Sequence, residues 1–188
     1  MESPAAYDLS IIDDNWSLFL DRDGVINQRI EGYVSKKEDF TFTENAAASI
    51  AAMNDFFFRT FVVTNQQGIA KGIMTTEQLD AVHEHMQQVI HSKGGFIDKI
   101  YYSPDLSGTG SFSRKPATGM GLQAKAEFSD IVLNKSVMIG DSLTDMLFAR
   151  NLGMIAVFVS DDNSLVDADI VVPSLARFWQ LLRQAKSI

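Results

Sequence analysis

The stretch Leu18-Phe19-Leu20-Asp21-Arg22-Asp23-Gly24-Val25 decides the fold. Trp16 to Leu20 is mostly apolar, the composition of a central parallel strand covered on both faces, and it runs directly into two carboxylates. Side chains two apart on an extended chain point the same way, so Asp21 and Asp23 share one face at the strand exit. Gly24 lets the backbone turn sharply or approach a ligand closely. Two unpaired carboxylates this near each other repel, and one takes up a proton unless a cation sits between them. The pair therefore implies a metal, a nucleophile with an acid/base partner, or both.

Working outward, residues 1–15 read as an N-terminal arm in which Leu9, Ile11 and Ile12 are available to dock on the body. The first strand covers 16–21, and the polar run 24–40, with Gly32 and Tyr33, reads as a loop over its exit. Alanines 46–48 with Ile50, Ala51 and Met53 predict a helix that starts near Thr43 or Glu44. Phe61 to Thr64 is a second strand, followed by a loop marked by Gly68 and Gly72. Thr75 or Thr76 caps a helix with Leu79, Val82, Met86, Val89 and Ile90 on its apolar side, and Gly94-Gly95 ends it. Strands follow at Ile97–Tyr102, Ser136–Gly140, Ile155–Val159 and Ile170–Val172. Helices are expected at Gly119–Phe128, at Ser142–Asn151 and after Pro173-Ser174. Such alternation predicts an α/β fold, an open parallel sheet with right-handed crossovers. With no repeat, linker or low-complexity segment, residues 1–188 read as one domain.

The composition narrows the function. A chain of 188 residues, 46% hydrophobic and 21% charged, suits one globular domain with a sizeable core. No apolar run approaches the roughly 20 residues needed to span a bilayer, and the first residues lack the basic and apolar regions of a secretory signal. The absence of cysteine excludes disulfides and thiolate metal ligands, and makes a reducing cytoplasm the default location. A net charge of −8 argues against nucleic acid as partner but leaves room for a small phosphorylated metabolite, whose binding depends on local charge.

In a parallel sheet, ligands bind beyond the C-terminal ends of the strands. Three strand ends carry polar groups there, namely Asp21 with Asp23, Thr64 with Asn65, and Asp141; Lys115 lies in the loop before a helix. Written out, the four segments are Asp21-Arg22-Asp23-Gly24-Val25-Ile26-Asn27, Val63-Thr64-Asn65-Gln66-Gln67-Gly68-Ile69-Ala70-Lys71-Gly72, Arg114-Lys115-Pro116-Ala117-Thr118-Gly119-Met120 and Gly140-Asp141-Ser142-Leu143-Thr144-Asp145. Their order and spacing resemble the haloacid dehalogenase-like (HAD) phosphatases, in particular the heptose bisphosphate and histidinol phosphatase branch. The resemblance spans Phe19 to Val159 and implies a Rossmann-like three-layer sandwich. Short spacings between the motifs leave no room for a large cap domain, so residues 25–36 and 103–114 should rim an open site.

Phosphoryl transfer is mostly positioning and charge compensation. The resemblance casts Asp21 as nucleophile and Asp23 as the acid that protonates the leaving oxygen and later activates water. It also implies Mg²⁺ held by Asp21, Asp141 and the backbone carbonyl of Asp23. Thr64 would give its hydroxyl and Asn65 its backbone N–H to phosphate oxygens, with Gln66 in the substrate site beside them, and Lys115 would balance charge. Arg114 is a fork-shaped donor suited to a second phosphate. Asp145 is expected to support the metal or orient Lys115 rather than to ligate directly.

Relatives of this kind often brace the loop before the third motif with zinc on cysteines and a histidine. Here Ser103, Asp105, Ser111 and Ser113 stand in that segment, so zinc is not expected. His83 and His85 point apart on a helix and read as exposed positions, Phe56-Phe57-Phe58 as core, the Gly68–Gly72 segment as a supporting turn, and Asp161-Asp162-Asn163 as a solvated loop. The reading is a cytoplasmic, monomeric Mg²⁺ phosphatase of a small sugar bisphosphate. Histidinol phosphate is the second candidate, and an end phosphatase of polynucleotides shares part of the second motif but conflicts with the acidic charge. From other classes come a phosphoacceptor module and a silent binding protein.

Overall fold

The computed structural model describes residues 7–162 and 167–187. Six parallel strands form one sheet: β1 Ser17–Leu20, β2 Arg59–Asn65, β3 Lys99–Ser103, β4 Ser136–Gly140, β5 Ile155–Val159 and β6 Ile170–Val172. Their order is β3-β2-β1-β4-β5-β6, so the chain reverses direction of travel beside β1. Register pairs Leu20 with Val62 on one side and with Ile139 on the other, which brings the ends of β1, β2 and β4 level. That alignment puts Asp21, Thr64 and Asp141 at one edge of the sheet.

Five helices cover the two faces. Helices α1 (Ala46–Asn54), α2 (Thr76–Ser92) and α5 (Leu175–Lys186) share one core with Leu18, Leu20, Val62, Val137 and Ile139. Helices α3 (Gly119–Glu127) and α4 (Leu143–Leu152) share the other with Phe19, Phe61, Val63 and Met138. Strand residues thus alternate between two cores, as a sheet buried on both sides requires. The result is the expected three-layer sandwich. Thr75 caps α2 in a reciprocal box with Gln78, and Ser174 caps α5. Helix α1 starts at Ala46 without a side-chain cap: Thr43 donates its hydroxyl to the Val25 carbonyl and Asn45 enters the helix from the left-handed region.

The described part of the arm docks, with Leu9 and Ile12 buried and Ile11 half exposed, while Lys186 donates to the Ser10 carbonyl. Residues 1–6 of the arm lie outside the described residues, as does Asn163; Asp161 and Asp162 are exposed. Two side-chain expectations are corrected. Phe58 is 44% exposed beneath the Arg59 guanidinium, because only Phe56 and Phe57 turn toward α5 and the core. His83 is buried, since it falls one turn after Leu79 and three residues before Met86, on the inner stripe of α2. No helix among the described residues is long and apolar enough to cross a membrane.

Candidate active site

The ends of β1, β2 and β4 and the loops after them enclose a cavity of about 300 Å³, lined among others by Asp21, Asp23, Arg29, Thr64, Arg114, Lys115 and Asp145. Asp21 follows β1 directly. Its Oδ1 accepts from the Arg22 backbone N–H at 2.8 Å and faces Lys115 Nζ at 2.9 Å. Lys115 is fully buried, and its ammonium also reaches Asp145 Oδ1 and the Val63 carbonyl, both at 2.6 Å. The ammonium thus donates to one carbonyl and ion-pairs with two carboxylates, which holds Lys115 in place as a point charge. The Lys115 backbone is fixed too: the Asn65 amide accepts from its N–H at 3.0 Å and donates to its carbonyl at 3.1 Å.

Asp23 is held from three directions. Arg22 Nη2 reaches both carboxylate oxygens at 2.9 Å, Asn27 donates to Oδ1 at 3.0 Å and Gln66 to Oδ2 at 2.9 Å. Gln66 also donates to Thr64 Oγ1 at 2.8 Å, so the threonine hydroxyl keeps its own proton for another acceptor. Asn65 and Gln66 both line the cavity, and their side-chain amides contact the Lys115 backbone and the Asp23 carboxylate. Behind Arg22, His83 Nε2 lies 3.3 Å from Nη1. A guanidinium only donates, so Nε2 accepts and the histidine proton sits on Nδ1.

Asp141 follows β4, and Asp145 reaches back from α4 to accept the Ser142 N–H at 3.0 Å. One oxygen each of Asp21, Asp141 and Asp145 lie within 4.8 Å of one another, a set of hard donors suited to a small divalent cation. Arg29, which the sequence reading did not single out, forks onto Asp141 at 2.6 and 2.7 Å and lines the cavity there. Glycine is required at two points. A Cβ on Gly24, whose φ is +90°, would fall 1.7 Å from Asp141 Oδ2, and one on Gly140 would fall 2.2 Å from the Asp145 Cβ.

The carboxylates differ in charge preference for identifiable reasons. Burial, then the Asp145 carboxylate, pushes Asp21 up to about 7, with Lys115 opposing. Burial pushes Asp141 up to about 6 against the pull of Arg29. Burial acts on Asp23 as well, but the Arg22 guanidinium and the amides of Asn27 and Gln66 outweigh it and hold Asp23 below its ordinary value. Burial raises a carboxylate and opposite charge lowers it. The Asp21–Asp141–Asp145 corner is therefore short of positive charge, while Asp23 is already compensated.

A family profile described as HAD-hydrolase-like matches residues 112–176. The D-glycero-D-manno-heptose-1,7-bisphosphate 7-phosphatase of Thermosynechococcus vestitus is 35% identical, over 76% of this chain and 78% of its own length. The D-glycero-beta-D-manno-heptose-1,7-bisphosphate 7-phosphatase of Helicobacter pylori is 37% identical, over 75% and 80%. A crystal structure of D,D-heptose 1,7-bisphosphate phosphatase from B. bronchiseptica, complexed with magnesium and phosphate, superposes with a TM-score of 0.82 at 28% identity, covering 90% of this chain and 98% of that one. The sheet order, the four motifs at its edge and these likenesses agree: the chain belongs to the HAD-like hydrolases, in the branch of these phosphatases, and is a phosphoric monoester hydrolase.

Proposed function

We propose that the chain is a Mg²⁺-dependent phosphatase of a small sugar bisphosphate, removing the 7-phosphate of D-glycero-D-manno-heptose 1,7-bisphosphate through a phosphorylated Asp21. The observation that carries the mechanism is the setting of Asp21. Both of its donors fall on Oδ1, which leaves Oδ2 with no donor among the described residues, as an attacking atom needs. The substrate assignment rests on the relatives' own activity, on a cavity of about 300 Å³ and on Arg114 beside Lys115 in its wall.

The donor set fits magnesium: oxygens only, few carboxylates, and two of them destabilised as anions for want of a cation. Asp21 and Asp141 would hold the ion, with the Asp23 backbone carbonyl, and Asp145 would stay on Lys115. When bound, it compensates carboxylate and phosphoryl charge together.

Asp21 Oδ2 attacks phosphorus and the bond to the sugar oxygen breaks, while the Thr64 hydroxyl and Lys115 offset charge on the phosphoryl oxygens. Asp23 gives its proton to the departing oxygen. A phosphate dianion beside Asp23 works against the Arg22 charge and so favours the acid form. The resulting carboxylate then takes a proton from water as that water attacks the phosphorylated Asp21, releasing phosphate. In this reading the chain works as a single-domain cytoplasmic monomer without zinc.

Phosphate release with Mg²⁺ from a panel of both heptose 1,7-bisphosphate anomers, fructose 1,6-bisphosphate and histidinol phosphate tests the assignment. A strong preference for a heptose anomer supports it, and preference for histidinol phosphate replaces the substrate while keeping the chemistry.

A further inference from the structure

The loop from β3 to α3 has no regular structure until Gly119, yet one polar node ties it together. Asp105 Oδ2 accepts the hydroxyls of Ser111 at 2.5 Å and Ser113 at 2.8 Å. The Ser113 hydroxyl also lies 2.9 Å from that of Ser103, which is fully buried at the end of β3, and 3.0 Å from that of Ser111. These are the residues that replace a zinc brace in the segment before the third motif. The carboxylate sits at the centre of the node, and hydroxyl donors converge on it. These hydroxyls hold Asp105 below its ordinary value, so it is a full acceptor at neutral pH.

The node does not end in the loop. Arg114 Nη1 donates to the Asp105 carbonyl at 3.0 Å, its one hydrogen bond to another described residue through the side chain, and Arg114 lines the cavity. Its neighbour Lys115 is held by one carbonyl and two carboxylates, but the Arg114 fork depends on a single carbonyl for its direction. A planar guanidinium binds phosphate well only when its fork is aimed, because its bidentate geometry is fixed.

We propose that Asp105, clamped by Ser103, Ser111 and Ser113, is a positioning residue that aims Arg114 at the second anionic group of the substrate. This rests on the reading of the substrate as a bisphosphate. It makes the serine–aspartate node a metal-free determinant of specificity, acting on affinity for the second phosphate and not on the reaction at Asp21.

Steady-state kinetics on heptose 1,7-bisphosphate and on p-nitrophenyl phosphate, which has one phosphoryl group, test this with Arg114→Ala, Asp105→Ala, their double variant and Asp105→Asn. Asp105→Ala should raise KM for the bisphosphate about tenfold with kcat kept, the equivalent of one lost charge-assisted hydrogen bond. Its kinetics on p-nitrophenyl phosphate should not change. The double variant should be no worse than Arg114→Ala. Asp105→Asn should stay near wild type, because both hydroxyls converge on one oxygen and an amide oxygen can accept them. A KM unchanged in Asp105→Ala while Arg114→Ala raises it, additive losses in the double variant, or equal losses on both substrates would each overturn the proposal. An unchanged bisphosphate KM in Arg114→Ala would instead overturn the bisphosphate reading and the proposal with it.

Discussion

The guanidinium of Arg29 forks across the carboxylate of Asp141, Nε to Oδ2 at 2.6 Å and Nη2 to Oδ1 at 2.7 Å. Asp141 is one of the carboxylates that would hold magnesium, so a cation entering there meets a positive charge already seated. The Arg29 side chain is 58% exposed, so the pair is partly screened and moderate in strength. Arg29→Ala should therefore tighten Mg²⁺ binding to the substrate-free protein by about two- to fivefold, the worth of an exposed ion pair. Isothermal titration with MgCl₂ measures it, and unchanged or weaker affinity would show that the two cations do not compete.

Lys115 carries a structural charge as well as its proposed role at the phosphate. It is buried between Asp21 and Asp145, and removing its charge leaves two facing carboxylates out of water. Lys115→Met should lower unfolding free energy by about 3–5 kcal/mol in metal-free buffer, the usual cost of breaking a buried pair from one side. Adding Asp145→Asn should recover part of the loss. Urea unfolding of both variants decides it; a loss below about 1 kcal/mol for Lys115→Met would contradict the charge accounting.

His83 carries the clearest pH signature outside the metal corner. Burial, and then the Arg22 charge, lowers its pKa from 6.5 to about 3. Between those values the unfolded chain binds a proton that the folded chain refuses. His83 therefore costs no stability above pH 6.5, and its penalty grows as pH falls through that window. Replacement by Gln, which keeps an acceptor for Arg22, should flatten the stability-versus-pH slope between about pH 6 and 4 by up to about 1.4 kcal/mol per pH unit. Equal slopes in the two proteins would mean that His83 titrates normally.

Much of this was legible in the chain because its signals are local. Apolar runs ending in Asp21, Thr64 and Asp141 mark strand ends, and parallel order brings such ends together. Thr75 and Ser174 announce their helices through capping chemistry. What stayed hidden depends on tertiary approach. Nothing near Arg29 marks it as the partner of a residue 112 positions away. His83 lies on the same inner stripe as Leu79 and Met86, a period that could have flagged its burial, but only the packed structure supplies Arg22 opposite. Asn65 and Gln66 lie in the second motif as expected, yet their amides reach Lys115 and Asp23, contacts that spacing alone does not define.

In the proposed mechanism the phosphoryl group passes through Asp21. Asp23→Asn should trap it, because the aspartyl phosphate forms readily from a substrate with a good leaving group and then lacks the base that activates water. Acid-quenched Asp23→Asn protein incubated with Mg²⁺ and p-nitrophenyl phosphate should yield an Asp21 peptide heavier by one phosphoryl group, labile to hydroxylamine and absent when Asp21→Asn is added. Stoichiometric release of p-nitrophenol with no phosphoryl group on that peptide would mean that Asp21 is not the nucleophile.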